Sequence, residues 1–216
     1  MDGAIKQKVE TFFSARPARK YAKGQILIMP GEVSNDVILI LEGKVKTYDV
    51  TYRGEEIIVN VFKEGAYFPM SHALGSIKEN KYIYEAESDI VVKKAPATEV
   101  VKFLKENPDV LLDLLSRVYT GAEGLLGRVT HLMAGSARSR ILYELLIEAR
   151  RFGEKSGKGY VLHLSETELS ARAGLSRETV SREMHWLKGA GLVSIVQRDI
   201  HIKDVAAIEA ALGTNI

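Results

Sequence analysis

The chain has 216 residues, 46% hydrophobic and 27% charged, with a formal net charge of only +2; this fits one large or two small globular domains and confines any nucleic-acid-binding surface to a local patch. The absence of cysteine excludes disulfides, thiolate zinc sites and an iron–sulfur cluster. Met1–Glu10 mixes charges without an apolar run, and no stretch approaches about 18 apolar residues, so no signal peptide, membrane span or membrane partner is expected and a cytoplasmic location is.

A short helix is expected around Ile5–Phe13. From about Tyr21 to Lys94 the chain is rich in Val, Ile and Tyr, and the turn signals Pro30-Gly31, Glu42-Gly43, Arg53-Gly54 and Glu64-Gly65 recur about every 11 residues. Short apolar runs between evenly spaced turns predict an all-β sandwich or barrel, with ILIM, VILIL, KVKTYDV and IIVNVF as strands. Thr98–Met133 reads as helix, broken at Asn107-Pro108, because proline disfavours helix in the residue before it and suits a first turn.

Beyond the break, Leu111, Leu115, Val118, Ala122, Leu125, Val129 and Leu132 alternate spacings of four and three, a heptad seam. Such a stripe packs on its own domain or joins a second copy; the regular spacing favours a homodimer. Gly121, Gly124 and Gly127 interrupt this helix, each costing about 1 kcal/mol relative to alanine. Close helix approach, room for a ligand, or easy remodelling would each account for them. Gly135-Ser136 reads as a stop and restart, hence a candidate hinge. Ser139–Phe152 is an amphipathic helix with Ile141, Leu142, Leu145, Leu146 and Ala149 inward, and Gly153–Gly159 reads as a loop.

Ser165-Glu166-Thr167-Glu168 has the capping-box pattern and opens a helix through Leu169 and Ala173. Gly174 supplies a tight turn, and Ser176 caps a second helix reaching Lys188. Leu175, Val180, Met184 and Leu187 form its apolar stripe, with Arg177, Glu178, Ser181 and Arg182 on other faces near the helix start. The N-terminal end of such a helix enters the major groove, where arginine pairs with guanine O6 and N7 and a carboxylate accepts from cytosine N4. A solvated face with a Glu178–Arg182 pair is the alternative. VSIV, the turn Gln197-Arg198-Asp199 and IHIK then form a wing, with Asp204 capping a last helix. Turn, cap, stripe and wing agree on double-stranded DNA as partner.

LSRETVSREMHWL followed by GLVSI resembles the helix-turn-helix of the cyclic-AMP receptor protein and fumarate–nitrate regulator (CRP/FNR) family, and the likeness extends over nearly the whole chain. It implies an α+β fold: an N-terminal antiparallel β-roll (1–107) as effector-sensing domain, a long dimerisation helix (108–134) and a C-terminal winged helix-turn-helix (135–216). It implies a transcription regulator that binds palindromes as a homodimer, with RNA polymerase as a further partner. Arg177, Glu178 and Arg182 would read bases, Arg177 matching the cyclic-AMP receptor branch and Ser181 the fumarate–nitrate branch, so the half-site is akin to TGTGA or TTGAT. By position, Ser165, Thr167, Ser176, Thr179 and Arg198 would touch phosphates.

The family's cyclic-nucleotide cassette is altered. Pro69-Met70-Ser71 stands where Gly-Glu-Leu is expected, Asn80-Lys81 where an arginine pair is expected, and Leu125-Leu126 where the dimer helix offers hydroxyls to adenine. Weak or no cyclic-AMP binding is therefore expected, with Lys81 leaving room for another anionic small-molecule effector. Tyr67, Met70 and His72 keep haem as an option, and an effector-independent regulator is a further one. The other histidines, His131, His163, His185 and His201, have no ligand spacing and read as structural. A cupin-like enzyme would need clustered ligands, and residues 21–94 offer only His72. With no Gly-x-Ser-x-Gly elbow, P-loop or Gly-x-Gly-x-x-Gly, a non-enzyme is expected. A sequence-tolerant architectural DNA binder is the remaining competitor.

Overall fold

The computed structural model describes residues 2–76, 78–197 and 199–213. Two compact units emerge, Met1–Val118 and Tyr119–Ile216.

The first unit runs α1 (Gly3–Ser14), β1 (Arg19–Tyr21), β2 (Ile26–Ile28), β3 (Asp36–Glu42), β4 (Lys44–Val50), β5 (Glu56–Lys63), β6 (Tyr67–Phe68), α2 (Met70–Ala73), β7 (Ile83–Ala86), β8 (Ile90–Pro96), α3 (Ala97–Glu106) and the start of α4 (Pro108–Ala134). Its strands form two antiparallel sheets, ordered β1-β8-β3-β6 and β2-β7-β4-β5. Alternate residues of a strand face opposite ways, and β3 is covered on both sides. Ile38 and Ile40 enter a core with Val45, Phe68, Tyr84 and Val92. Val37 and Leu39 enter a second core with Phe13 of α1, Leu104 of α3 and Val110 and Leu114 of α4. That double burial explains why VILIL is a continuous apolar run rather than an alternating one. Phe62, Phe68 and Tyr84 form a stacked cluster, Phe68 lying 4.8 Å from Phe62 and 5.2 Å from Tyr84, which are 6.2 Å from each other.

The second unit holds the rest of α4, then α5 (Ala137–Phe152), β9 (Glu154–Ser156), β10 (Gly159–Leu162), α6 (Glu166–Ala173), α7 (Arg177–Gly189), β11 (Val193–Val196), β12 (Asp199–Ile202) and α8 (Val205–Gly213). Its antiparallel sheet is ordered β11-β12-β10-β9. Ile141, Leu142, Leu145, Leu146 and Ala149 of α5 are all buried, against Leu169 of α6 and Val180, Met184 and Leu187 of α7. Each of the larger aliphatic side chains contributes about 1.5–3 kcal/mol on burial.

The α+β expectation, with its antiparallel roll and winged helix-turn-helix, is met. The stretch 153–159 differs from expectation: it contains β9 and the start of β10 rather than only loop. All three residues of β9 are exposed, so its sequence carries no alternation to reveal it, and pairing with β10 creates it.

Candidate nucleic-acid interface

Helices α6 and α7 are each fixed at their starts by a side chain. Ser165 Oγ accepts from the Glu168 amide at 3.2 Å, and Glu168 Oε2 accepts in return from the Ser165 amide at 2.8 Å. Gly174 closes α6 at φ +61°, where a side chain would cost roughly 1–2 kcal/mol. Ser176 Oγ accepts from the Thr179 amide at 3.3 Å and starts α7. Val180, Met184 and Leu187 are fully buried. Their spacing of four and three pins the rotation of α7 and turns its other face outward.

On that outward face Arg177, Glu178, Ser181 and Arg182 line one open concavity. His185, structural on the sequence reading, lines it too; its place four residues after Ser181 is the signal that puts it there. The Glu178 carboxyl is held below the usual range by its own backbone amide, by the Ser176 hydroxyl and by neighbouring Arg177. The concavity thus presents guanidinium donors, a carboxylate acceptor and a hydroxyl, the set that distinguishes base edges.

Of the phosphate candidates, Ser165 and Ser176 serve the two caps, Ser176 Oγ also donating to Thr179 Oγ1 at 3.1 Å. Thr167 is exposed and Thr179 half-buried. Arg198 lies outside the described residues. The wing hairpin pairs Val193–Val196 with Asp199–Ile202, and His163 anchors it. Its Nδ1 is 3.0 Å from Asp199 Oδ2 and its Nε2 is 3.3 Å from Glu154 Oε1. Those two carboxylates raise the His163 pKa.

The later part of α4 is bound to α5. Tyr143 Oη donates to the Gly124 carbonyl at 3.2 Å. It occupies the space over Gly127, where a Cβ would stand 1.7 Å from that oxygen. His131, buried, packs tilted at 40° against the Tyr143 ring, with centroids 4.5 Å apart. Arg128 donates twice to Glu144, from Nε at 2.5 Å and Nη2 at 2.8 Å, while burial pushes the Glu144 carboxyl up against that pull. Arg172 of α6 pairs with Glu148 of α5 in the same interior. The candidate hinge residues Gly135 and Ser136 form the break between these helices. Ser136 caps α5, and a Cβ on Gly135 would meet the His131 carbonyl at 2.6 Å. Gly121 and Gly124, in contrast, have open space. Leu111, Leu115, Val118, Ala122, Leu125, Val129 and Leu132 are all exposed along α4, as is Leu126.

In the first unit, the altered cassette surrounds β6 and α2. Tyr67 and Pro69 are buried, and Met70, Ser71 and His72 are half-buried in α2. Among the described residues, both His72 ring nitrogens are enclosed without a hydrogen-bond partner, while burial raises the pKa of the Tyr67 hydroxyl against the pull of Arg117. The Arg117 guanidinium lies 5.0 Å from the Tyr67 ring centre. Asn80 is buried, and its amide donates to the Met29 carbonyl at 3.0 Å and to the Tyr82 carbonyl. Lys81 is exposed. Asn80 is neutral and committed to the backbone, and Pro69, Met70 and Ser71 bring no charge. These cassette positions therefore offer a phosphate no buried cation.

The Crp-like helix-turn-helix domain matches residues 139–211, and the cyclic nucleotide-binding domain matches residues 18–107. The global nitrogen regulator of Synechocystis sp. is 28% identical over 87% of this chain and 85% of its own length. The cyclic AMP receptor protein of Thermus thermophilus is 26% identical over 96% and 93%. Among solved structures, a CooA variant from Carboxydothermus hydrogenoformans superposes with a TM-score of 0.78 at 22% identity, covering 94% of this chain and 90% of that one. A CRP/FNR-family regulator from Thermus thermophilus superposes at 0.72 with 20% identity, covering 93% and 100%. With both domain matches placed on these two units, the chain belongs to the CRP/FNR family of helix-turn-helix transcription regulators.

Proposed function

We propose that this regulator is a cytoplasmic homodimer that reads a palindromic DNA site through Arg177, Glu178, Ser181 and Arg182. The observation that carries the reading is the concavity these side chains share on a helix whose other face is fully buried. Ser165, Thr167, Ser176, Thr179 and Arg198 position the protein on phosphates, and bound dimers engage RNA polymerase. The exposed seam from Leu111 to Leu132 joins the two copies, setting the recognition helices about 34 Å apart, one turn of DNA. Selection from random duplexes should return a palindrome with TGTGA-like half-sites. Equal affinity for that palindrome and a scrambled duplex would reject sequence reading in favour of an architectural role.

Output is switched by a ligand other than cyclic AMP, acting across the Gly135-Ser136 junction. The unpartnered His72 nitrogens favour a ligand at Tyr67–His72 over an effector-independent regulator. Native mass spectrometry of purified protein should reveal the bound species, and a Soret band would identify it as haem. Calorimetric titration with cyclic AMP should give no heat at micromolar concentrations.

A further inference from the structure

Arg138 lies in the first turn of α5 and makes two contacts to α7. Its Nε donates to Glu183 Oε2 at 2.9 Å, and its guanidinium carbon stands 3.6 Å from the centre of the Trp186 ring. Glu183 and Trp186 are three residues apart, one helical turn, so one cation covers a single patch of α7. The other oxygen of Glu183 lies 3.6 Å from Nε of Arg182. At 2.9 Å the Arg138 contact is a hydrogen bond; at 3.6 Å the Arg182 contact is only an ion pair.

This arrangement places a carboxylate beside an arginine assigned to base reading. Arg182 is 70% exposed, whereas Glu183 is 13% exposed. A partly buried carboxylate without another partner would draw the flexible Arg182 guanidinium back onto its own helix, since burial strengthens the attraction. Arg138 is half-buried and held against the Trp186 ring, so it is pre-organised to satisfy Glu183.

We propose that Arg138 is a positioning residue for DNA recognition, which holds Glu183 through its hydrogen bond and Trp186 stacking and so keeps Arg182 extended toward the groove. The proposal rests on the base-reading role of Arg182 and adds a half-buried residue of α5. It predicts a specific pattern of epistasis. Arg138→Met leaves Glu183 to capture Arg182, whereas Glu183→Gln in the same chain removes the captor.

The test uses the full chain as wild type, Arg138→Met, Glu183→Gln and the double variant, each titrated against the selected palindrome and a scrambled duplex. Arg138→Met should weaken palindrome binding at least about fivefold, the lower end of one lost arginine–guanine contact, and change scrambled binding less. The double variant should return to within about threefold of wild type, although it has lost more native contacts. Trp186 is the sole tryptophan, so its emission should shift in Arg138→Met. If Arg138→Met fails to fold, Arg138→Gln takes its place in both arms. Unchanged palindrome affinity, a double variant as weak as the single one, or unchanged Trp186 emission would each overturn the proposal. If the wild type discriminates and these arms fail, only the role of Arg138 is lost; if the wild type binds both duplexes alike, the base-reading assignment falls and takes this proposal with it.

Discussion

Arg182→Ala should cost about 1–3 kcal/mol of discrimination between the palindrome and a scrambled duplex, measured by fluorescence anisotropy at fixed salt. A loss shared equally by both duplexes would make Arg182 a phosphate contact instead. His163 carries a pH dependence of definite sign. Its folded pKa is raised, first by Asp199 and then by Glu154, so its anchoring of the wing is complete below the ordinary imidazole value of 6.5 and is lost as pH climbs through the raised value. The protection of the β11 and β12 amides, relative to their intrinsic base-catalysed exchange, should fall across that interval, and His163→Ala should abolish the fall. The outward face of α7 is legible in the sequence because the Ser176 cap and the Val180, Met184 and Leu187 stripe fix which way the intervening side chains point. Asn80 was not, because its buried amide is held by Met29, 51 residues away, and no local pattern encodes such a partner.

The glycines of α4 divide by their surroundings. Gly127→Ala should destabilise the protein, because Tyr143 must leave its seat and give up its hydrogen bond to Gly124, a loss of about 1 kcal/mol before any repacking. Gly121→Ala has open space and should stabilise α4 by about 1 kcal/mol. Thermal melts of the two variants should move in opposite directions. Arg128→Ala leaves the Glu144 carboxylate, only 3% exposed, without its bidentate partner; a loss of about 3–5 kcal/mol is expected in denaturant unfolding. Sequence spacing located α4, its break at Pro108 and its heptad stripe. It could not separate Gly127 from Gly121, since that difference lies in a tyrosine of the next helix. The same limit hid β9, whose polar residues become a strand only beside β10.

The proposed assembly rests on the apolar stripe that α4 leaves uncovered. Val118, 55% exposed, and Leu125, 44% exposed, lie along it. Replacing both by glutamate should yield a monomer in sedimentation while helicity is retained. Palindrome affinity should then fall about a hundredfold or more, because the second half-site is no longer bound as an intramolecular step. A variant that remains dimeric would locate the interface elsewhere. The Tyr143–Gly127 and Arg128–Glu144 contacts have a mechanical consequence for such a dimer. They tie the later part of α4 to α5, whose buried face packs on the helix that carries Arg182, so this stretch would work as the handle of a spanner. A twist applied where the two copies meet would reach the recognition helix without first being absorbed by slack at Gly135. Any signal that turns the seam by a few degrees would be felt at the DNA as a change in the phase of both reading faces at once.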